Sequence, residues 1–233
     1  ALYGRQMMKE LLINGVFPLS VENPRFWLGL AICIIVPYLL GSVNFAVLLT
    51  KYSGRDDIRN FGSGNAGATN MMRVYGNGLS FLTFFLDALK GALSVFLGLM
   101  LFPLDYFAYI CAFFCMLGHA FPIFFGFRGG KGVSTIAGAI IALNPIVAAI
   151  LCFVFFGIAF FSKYVSLASI LTTLLFPVLN LAIPFYSIPP FPVTKMLFSV
   201  LMPLLVAFLH RKNIERLWNG TETKTFIKKD KNS

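Results

Sequence analysis

Charge is scarce in this sequence. Nine Asp and Glu and 19 Lys and Arg leave only 12% of 233 residues charged, about half of what a soluble domain uses to keep its surface wet. That shortage excludes an ordinary water-soluble domain. Cysteine is also sparse, and Cys33, Cys111, Cys115 and Cys152 all lie inside apolar runs. This excludes a disulfide framework and a cysteine metal site. Cys111 and Cys115 stand one helical turn apart, share a face and read as small apolar filler. No internal repeat is visible, which counts against a transporter built from inverted halves. No small-residue cleavage site follows the first apolar run, so no signal peptide is read.

What is present is hydrophobic length. Residues of apolar type make up 58% of the chain, aromatics 16%, and the mean hydropathy is +0.81. A membrane span needs about 20 apolar residues. Seven candidates occur at about 26–50, 78–102, 105–125, 132–144, 146–161, 164–186 and 192–210, the fourth short enough to be a half-helix packed against protein. Asn144-Pro145 and Ile188-Pro189-Pro190 punctuate the later segments. The fold class is all-α and polytopic: an N-terminal arm, residues 1–25, then one transmembrane domain over 26–233, its tail starting at about 211.

The net charge of +10 does not point to nucleic acid, because the basic residues form no stripe interleaved with aromatics. They sit between the spans instead. Lys51, Arg55, Arg59 and Arg73 fall in the first loop, Arg128 and Lys131 in the second, and Lys163 in the third. Arg211, Lys212, Arg216, Lys224, Lys228, Lys229 and Lys231 fall in the tail. With seven spans all of these share one side, which the positive-inside rule makes cytoplasmic, leaving the N-terminus outside. The segments rich in Gly, Ser, Asn and His lie on that same side. Such one-sidedness suits an enzyme working at one leaflet better than the alternative, a transporter of a phosphorylated metabolite.

Three polar clusters stand out. The first, residues 41–73, contains GSGNAGATN at 62–70. It matches the dinucleotide fingerprint literally, but no βαβ unit surrounds it. What remains is a polar loop with Arg59, Arg73 and free backbone N–H groups suited to an anion. The second, GHAFPIFFGFRGGKGVST at 118–135, fails as a Walker loop, with three residues rather than four between Gly126 and Gly130 and Gly132 where Ser or Thr belongs. Its glycines and Lys131, followed by a helix at Val133, nevertheless form a phosphate-binding arrangement. The third, HRKNIERLWNGTETK at 210–224, places His210 and Asn213 on one helical face, with Glu222 following at roughly helical spacing. Within the second span, Asp87 and Lys90 stand three residues apart and read as a structural ion pair.

Together these strings, with Leu86-Asp87 and Lys90-Gly91 between them, resemble the bacterial acyl-phosphate:glycerol-3-phosphate acyltransferase family. The resemblance covers Gly41 to Arg73, Gly118 to Thr135 and His210 to Glu222. The arm before Phe26 and the region 146–209 carry no family motif. The resemblance implies acyl transfer from acyl phosphate to the 1-hydroxyl of glycerol 3-phosphate, giving lysophosphatidic acid and phosphate, at the cytoplasmic face of the bacterial inner membrane. The implied partners are those two substrates and membrane lipid, with no nucleic acid, no cofactor and no metal.

By the same resemblance the first motif supplies an essential serine and arginine, for which Ser42 or Ser63 and Arg59 or Arg73 are the candidates. Ser42, Arg59, His210 and Asn213 are taken as the catalytic set. Ser63, Gly64, Asn65, Thr69, Asn70, Arg73, His119, Gly129, Gly130, Lys131 and Gly132 are taken as substrate-binding, with Asp87, Lys90 and Glu222 structural. An acyl phosphate is already activated, so no covalent nucleophile is needed. The sequence accordingly has no G-x-S-x-G elbow, and the aspartate position of an H-x4-D dyad is Phe124 after His119 and Glu215 after His210.

Overall fold

A computed structural model describes residues 16–17, 20–102, 106–183, 185 and 193–224. Among them every regular element is helical. The helices are α1 (Pro24–Ser42), α2 (Phe45–Tyr52), α3 (Ala68–Tyr75), α4 (Asn77–Leu101), α5 (Tyr106–Ala120), α6 (Val133–Leu143), α7 (Pro145–Ser162), α8 (Val165–Ala182), α9 (Val193–Leu209) and α10 (Arg211–Trp218).

Over their described residues the seven apolar segments read from the sequence are mainly helical, but they are not seven equal spans. Five stretches are long and apolar enough to cross a bilayer: α1 with α2, then α4, α5 with its following turn, α7 and α8. A sixth exists if α9 and α10, bent by 60° at His210, count as one. Helix α6 has 11 residues, about 16 Å at 1.5 Å per residue, against a hydrocarbon core of about 30 Å. It survives because it is buried in protein. Gly91 on α4 and Gly138 on α6 lie against the backbones of Thr135 and Ala88, where a Cβ would come within 2.0 and 1.9 Å of a carbonyl oxygen. Helix α1 meets α5 the same way, through Gly41 on Cys115 and Gly118 on Tyr38. Small residues let backbones approach where lipid offers no hydrophobic drive.

Polar bonds lock this packing. Tyr109 on α5 donates to Asn180 Oδ1 on α8 at 3.0 Å, and Asn180 donates to Ser199 on α9 at 3.0 Å. The chain breaks between α1 and α2, where the Asn44 side chain caps Val47 N at 3.1 Å. Of the N-terminal arm, Val16 and Phe17 donate backbone bonds to Leu101 O, and Phe17 joins Phe26, Phe102 and Phe107 in an aromatic cluster. This ties the arm to the C-terminal end of α4, whereas the polar clusters gather at its N-terminal end.

Candidate active site

A cavity of about 490 Å³ opens at that end. It draws walls from all three sequence clusters. Ser63, Asn65, Thr69, Asn70 and Arg73 come from the first loop and α3. His119, Lys131 and Gly132 come from the end of α5 and the following loop. His210, Asn213 and Glu222 come from the chain after α9, and Asp87 from α4.

The first loop is folded by Asn70. Its amide donates to Ile58 O at 3.2 Å and Phe61 O at 2.9 Å, and its oxygen accepts from Ser63 N at 2.9 Å. Both its amide N–H groups are spent inside the loop, so Asn70 shapes the wall more than it offers donors to a ligand. Gly62 must be glycine: its φ is +60°, and a Cβ would stand 2.3 Å from Asn70 Oδ1. Helix α3 starts after Gly67 with no side-chain cap. Its first N–H groups stay available beside Ala68 and Thr69 on the cavity wall.

The second loop turns similarly. Gly130 N donates to His119 O at 3.1 Å, and Gly132, with φ +79°, precedes α6, which also lacks a side-chain cap. Two helix N-termini, the positive ends of their dipoles, therefore border one cavity, with Lys131 and Arg73 beside them. Burial lowers the Lys131 ammonium to about 8; Glu222 opposes the shift, while Arg216 and Arg73 add to it.

In the third cluster Lys131 Nζ bonds Asn213 Oδ1, and Asn213 Nδ2 donates to Glu222 Oε1 at 2.7 Å. Ser166 donates to the same oxygen at 2.9 Å, and Arg216 Nε meets Glu222 Oε2 at 2.7 Å. Burial pushes the Glu222 carboxyl up, but the hydrogen bonds from Arg216, Asn213 and Ser166 outweigh it and hold the group ionised. Glu222 is not on the helix, as spacing alone suggested. Helix α10 stops at Trp218, and a turn through Gly220 (φ +67°) folds the chain back. His210 donates Nδ1–H to Val206 O at 2.8 Å. Burial, with Lys131 nearby, lowers its pKa to about 4. The ring is neutral at pH 7, with its Nε2 lone pair available.

Five expected residues stand elsewhere. Ser42 donates to Tyr38 O at 2.9 Å and accepts from Ile123 N at 3.4 Å, tying α1 to the turn after α5. Arg59 spans Asp57 and Phe125 O, the latter at 2.8 Å, bracing the two loops from behind. Neither lines the cavity, nor do Gly64, Gly129 or Gly130. Of the paired candidates, Ser63 and Arg73 are the ones on the wall. The sequence reading passed over Ser166 and Arg216, which hold Glu222. Ser166 lies just past Lys163-Tyr164, where an apolar segment reaches the polar side, the same boundary signal that marked His210.

A second, apolar cavity of about 170 Å³ lies between α6, α7 and α8. Its wall shares Phe84, Val133, Phe155, Phe156 and Ser169 with the polar one. Fold and site together define a helical membrane protein in which a chamber bordered by Lys131 and Arg73 shares a wall with an apolar slot.

The sequence relatives agree. A profile described as Glycerol-3-phosphate acyltransferase matches residues 31–220, and this chain belongs to that family. It is 42% identical over 194 residues to a glycerol-3-phosphate acyltransferase of Syntrophomonas wolfei, covering 83% of this chain and 96% of that protein. To one of Aquifex aeolicus it is 40% identical over 192 residues, covering 81% and 95%. The fold matches the crystal structure of PlsY, an integral membrane glycerol 3-phosphate acyltransferase, in its glycerol 3-phosphate form. The TM-score is 0.76 at 38% identity, covering 84% of this chain and 94% of that one.

Proposed function

We propose that this cavity transfers an acyl chain from an acyl phosphate to the 1-hydroxyl of glycerol 3-phosphate, releasing lysophosphatidic acid and inorganic phosphate. The observation that carries the reading is the convergence of two helix N-termini, Lys131 and Arg73 on one chamber that continues into an apolar slot. Both substrates bring a phosphate, and one brings a tail.

In this reading Lys131 and the first N–H groups of α6 take the phosphate of glycerol 3-phosphate. Arg73, Ser63 and the N-terminus of α3 take the phosphate of the donor, whose acyl chain lies in the slot. The hydroxyl oxygen attacks the acyl carbon, and the tetrahedral oxyanion collapses with loss of phosphate. The leaving group is good, so the protein contributes positioning and charge neutralisation. The Nε2 lone pair of His210 is placed to orient the hydroxyl or accept its proton. The slot is walled on its outer side by Ile141 and Phe156, exposed by 56% and 62%, which suits a tail arriving from lipid.

With α6 and α9 counted as spans the chain crosses seven times, and its basic loops, and so the site, face the cytoplasm. The test is direct. Purified protein in detergent, given acyl phosphate and glycerol 3-phosphate, releases phosphate and forms lysophosphatidic acid in equal amounts. A transporter of a phosphorylated metabolite releases none.

A further inference from the structure

Lys90 lies beneath the cavity floor, and the mechanism above leaves it idle. It is 1% exposed, as is Asp87, and His119 is 3% exposed. Its Nζ has three protons and no lone pair. It donates to Gly41 O at 3.0 Å and Val43 O at 2.9 Å, the carbonyls at the break between α1 and α2. Asp87 Oδ1 is 2.8 Å away as an ion-pair partner but takes no hydrogen bond, which leaves the third proton for His119 Nδ1, 3.0 Å away.

That last distance decides the state of the histidine. An ammonium only donates, so an Nδ1 at 3.0 Å from it presents its lone pair. Asp87 Oδ1 is 3.5 Å from Nδ1, beyond the usual range for an N–H donor. The ring proton therefore sits on Nε2. This nitrogen faces the phosphate loop, since a Cβ on Gly130 would lie 2.1 Å from it, and the ring lines the cavity next to Lys131 and Gly132.

We propose that Lys90 is a positioning residue that fixes His119 as a hydrogen-bond donor to the anion held at Lys131 and the N-terminus of α6. One buried cation thus pins the α1–α2 break and sets the hydrogen-bonding sense of a side chain in the chamber. His210 is set the opposite way, its Nδ1–H spent on Val206 O and its Nε2 open. The two imidazoles present opposite faces to one cavity: His119 gives a proton to a hydrogen bond, and only His210 can receive one. The identity of the anion rests on the acyl-transfer reading; the tautomer does not.

The chain has two histidines, so the full-length protein labelled with 13C,15N-histidine in lipid nanodiscs gives two ring systems, assigned with His210→Gln. The wild type is expected to show His119 protonated on Nε2 and His210 on Nδ1. The double variant Asp87→Asn/Lys90→Met removes the buried pair without leaving a lone charge. In it the His119 tautomer becomes mixed and the KM for glycerol 3-phosphate rises by roughly tenfold, the loss of one charge-assisted hydrogen bond, with kcat changed less. His119→Gln, whose amide N–H reaches the Nε2 position, retains most activity, whereas His119→Asn does not. Nδ1 protonation of His119 in the wild type overturns the proposal. So does an unchanged tautomer and KM in the double variant, or equal loss in the Gln and Asn variants. If the wild type forms no lysophosphatidic acid, the acyl-transfer reading fails while the tautomer result stands.

Discussion

Asn213 donates to Glu222 at 2.7 Å and accepts from Lys131 with its other end, so one side-chain amide carries the orientation of a buried carboxylate to the cavity's lysine. A carboxylate bonded to Lys131 directly would neutralise it; with an amide between them the ammonium keeps its charge for substrate. Asn213→Leu is expected to raise the KM for glycerol 3-phosphate by roughly thirtyfold, about 2 kcal/mol for hydrogen bonds to charged groups. Steady-state kinetics check this, and a KM within twofold of wild type would remove Asn213 from that relay.

The two candidate arginines separate by position. Arg73→Gln should lower kcat/KM by at least tenfold while the thermal unfolding midpoint in detergent hardly moves. Arg59→Gln should do the reverse, because Arg59 braces Asp57 against Phe125 O outside the cavity. Ser63→Ala and Ser42→Ala follow the same division. Kinetics beside unfolding midpoints settle it, and a kinetic defect in folded Arg59→Gln would return Arg59 to the site.

Much of this was legible because a membrane leaves few places for polar residues. Once seven apolar segments were marked, GSGNAGATN, RGGKGVST and HRKN stood out, and the structure brings all three to one chamber. What spacing could not show is which members face inward. Ser42 and Ser63 are equivalent in composition, and Arg59 and Arg73 are both flanked by polar loop. The choice is made by Asn70 pinning residues 58–63 and by a carbonyl 66 positions away that captures Arg59. Glu222 shows the same limit: its route to Asn213 depends on the left-handed turn at Gly220, not on helical spacing. The length of α6 was visible, but not that α4 would cover it.

The lowered pKa of Lys131, about 8, carries a pH signature. Below that value the free enzyme holds an ammonium for the phosphate; above it the charge is lost. The KM for glycerol 3-phosphate should climb as pH rises through about 8. Lys131→Arg, always protonated, should flatten that limb even if it binds less well. A profile flat to pH 9 in the wild type would contradict the assignment.

His210 titrates on the other side. Its pKa of about 4 lies below its unfolded value, about 6.5. Its neutral state therefore contributes stability that is present above about 6.5 and lost as pH falls towards 4. Acid unfolding should steepen across that window, and less so in His210→Gln. In kinetics, kcat/KM should lose an acid limb in a still-active His210→Gln; an unaltered profile would assign the proton to a substrate phosphate oxygen.

The apolar slot predicts a chain-length switch. Ala148 lines it, and Ala148→Phe should fill it, leaving short-chain acyl phosphates as substrates while kcat/KM for long-chain ones falls by tenfold or more. Overfilling also costs about 1–3 kcal/mol of stability, so the comparison is a ratio between donors in one preparation. An unchanged ratio would place the tail elsewhere.

On the proposed reading, the shared wall of Phe84, Val133, Phe155 and Phe156 would give the chamber two exits of opposite solvency. A small ionic reactant comes and goes by the watery one, while a lipid product whose tail already rests in the slot can slide sideways into the leaflet without crossing water. Turnover would then be governed by how readily the surrounding leaflet takes up one more single-chain lipid.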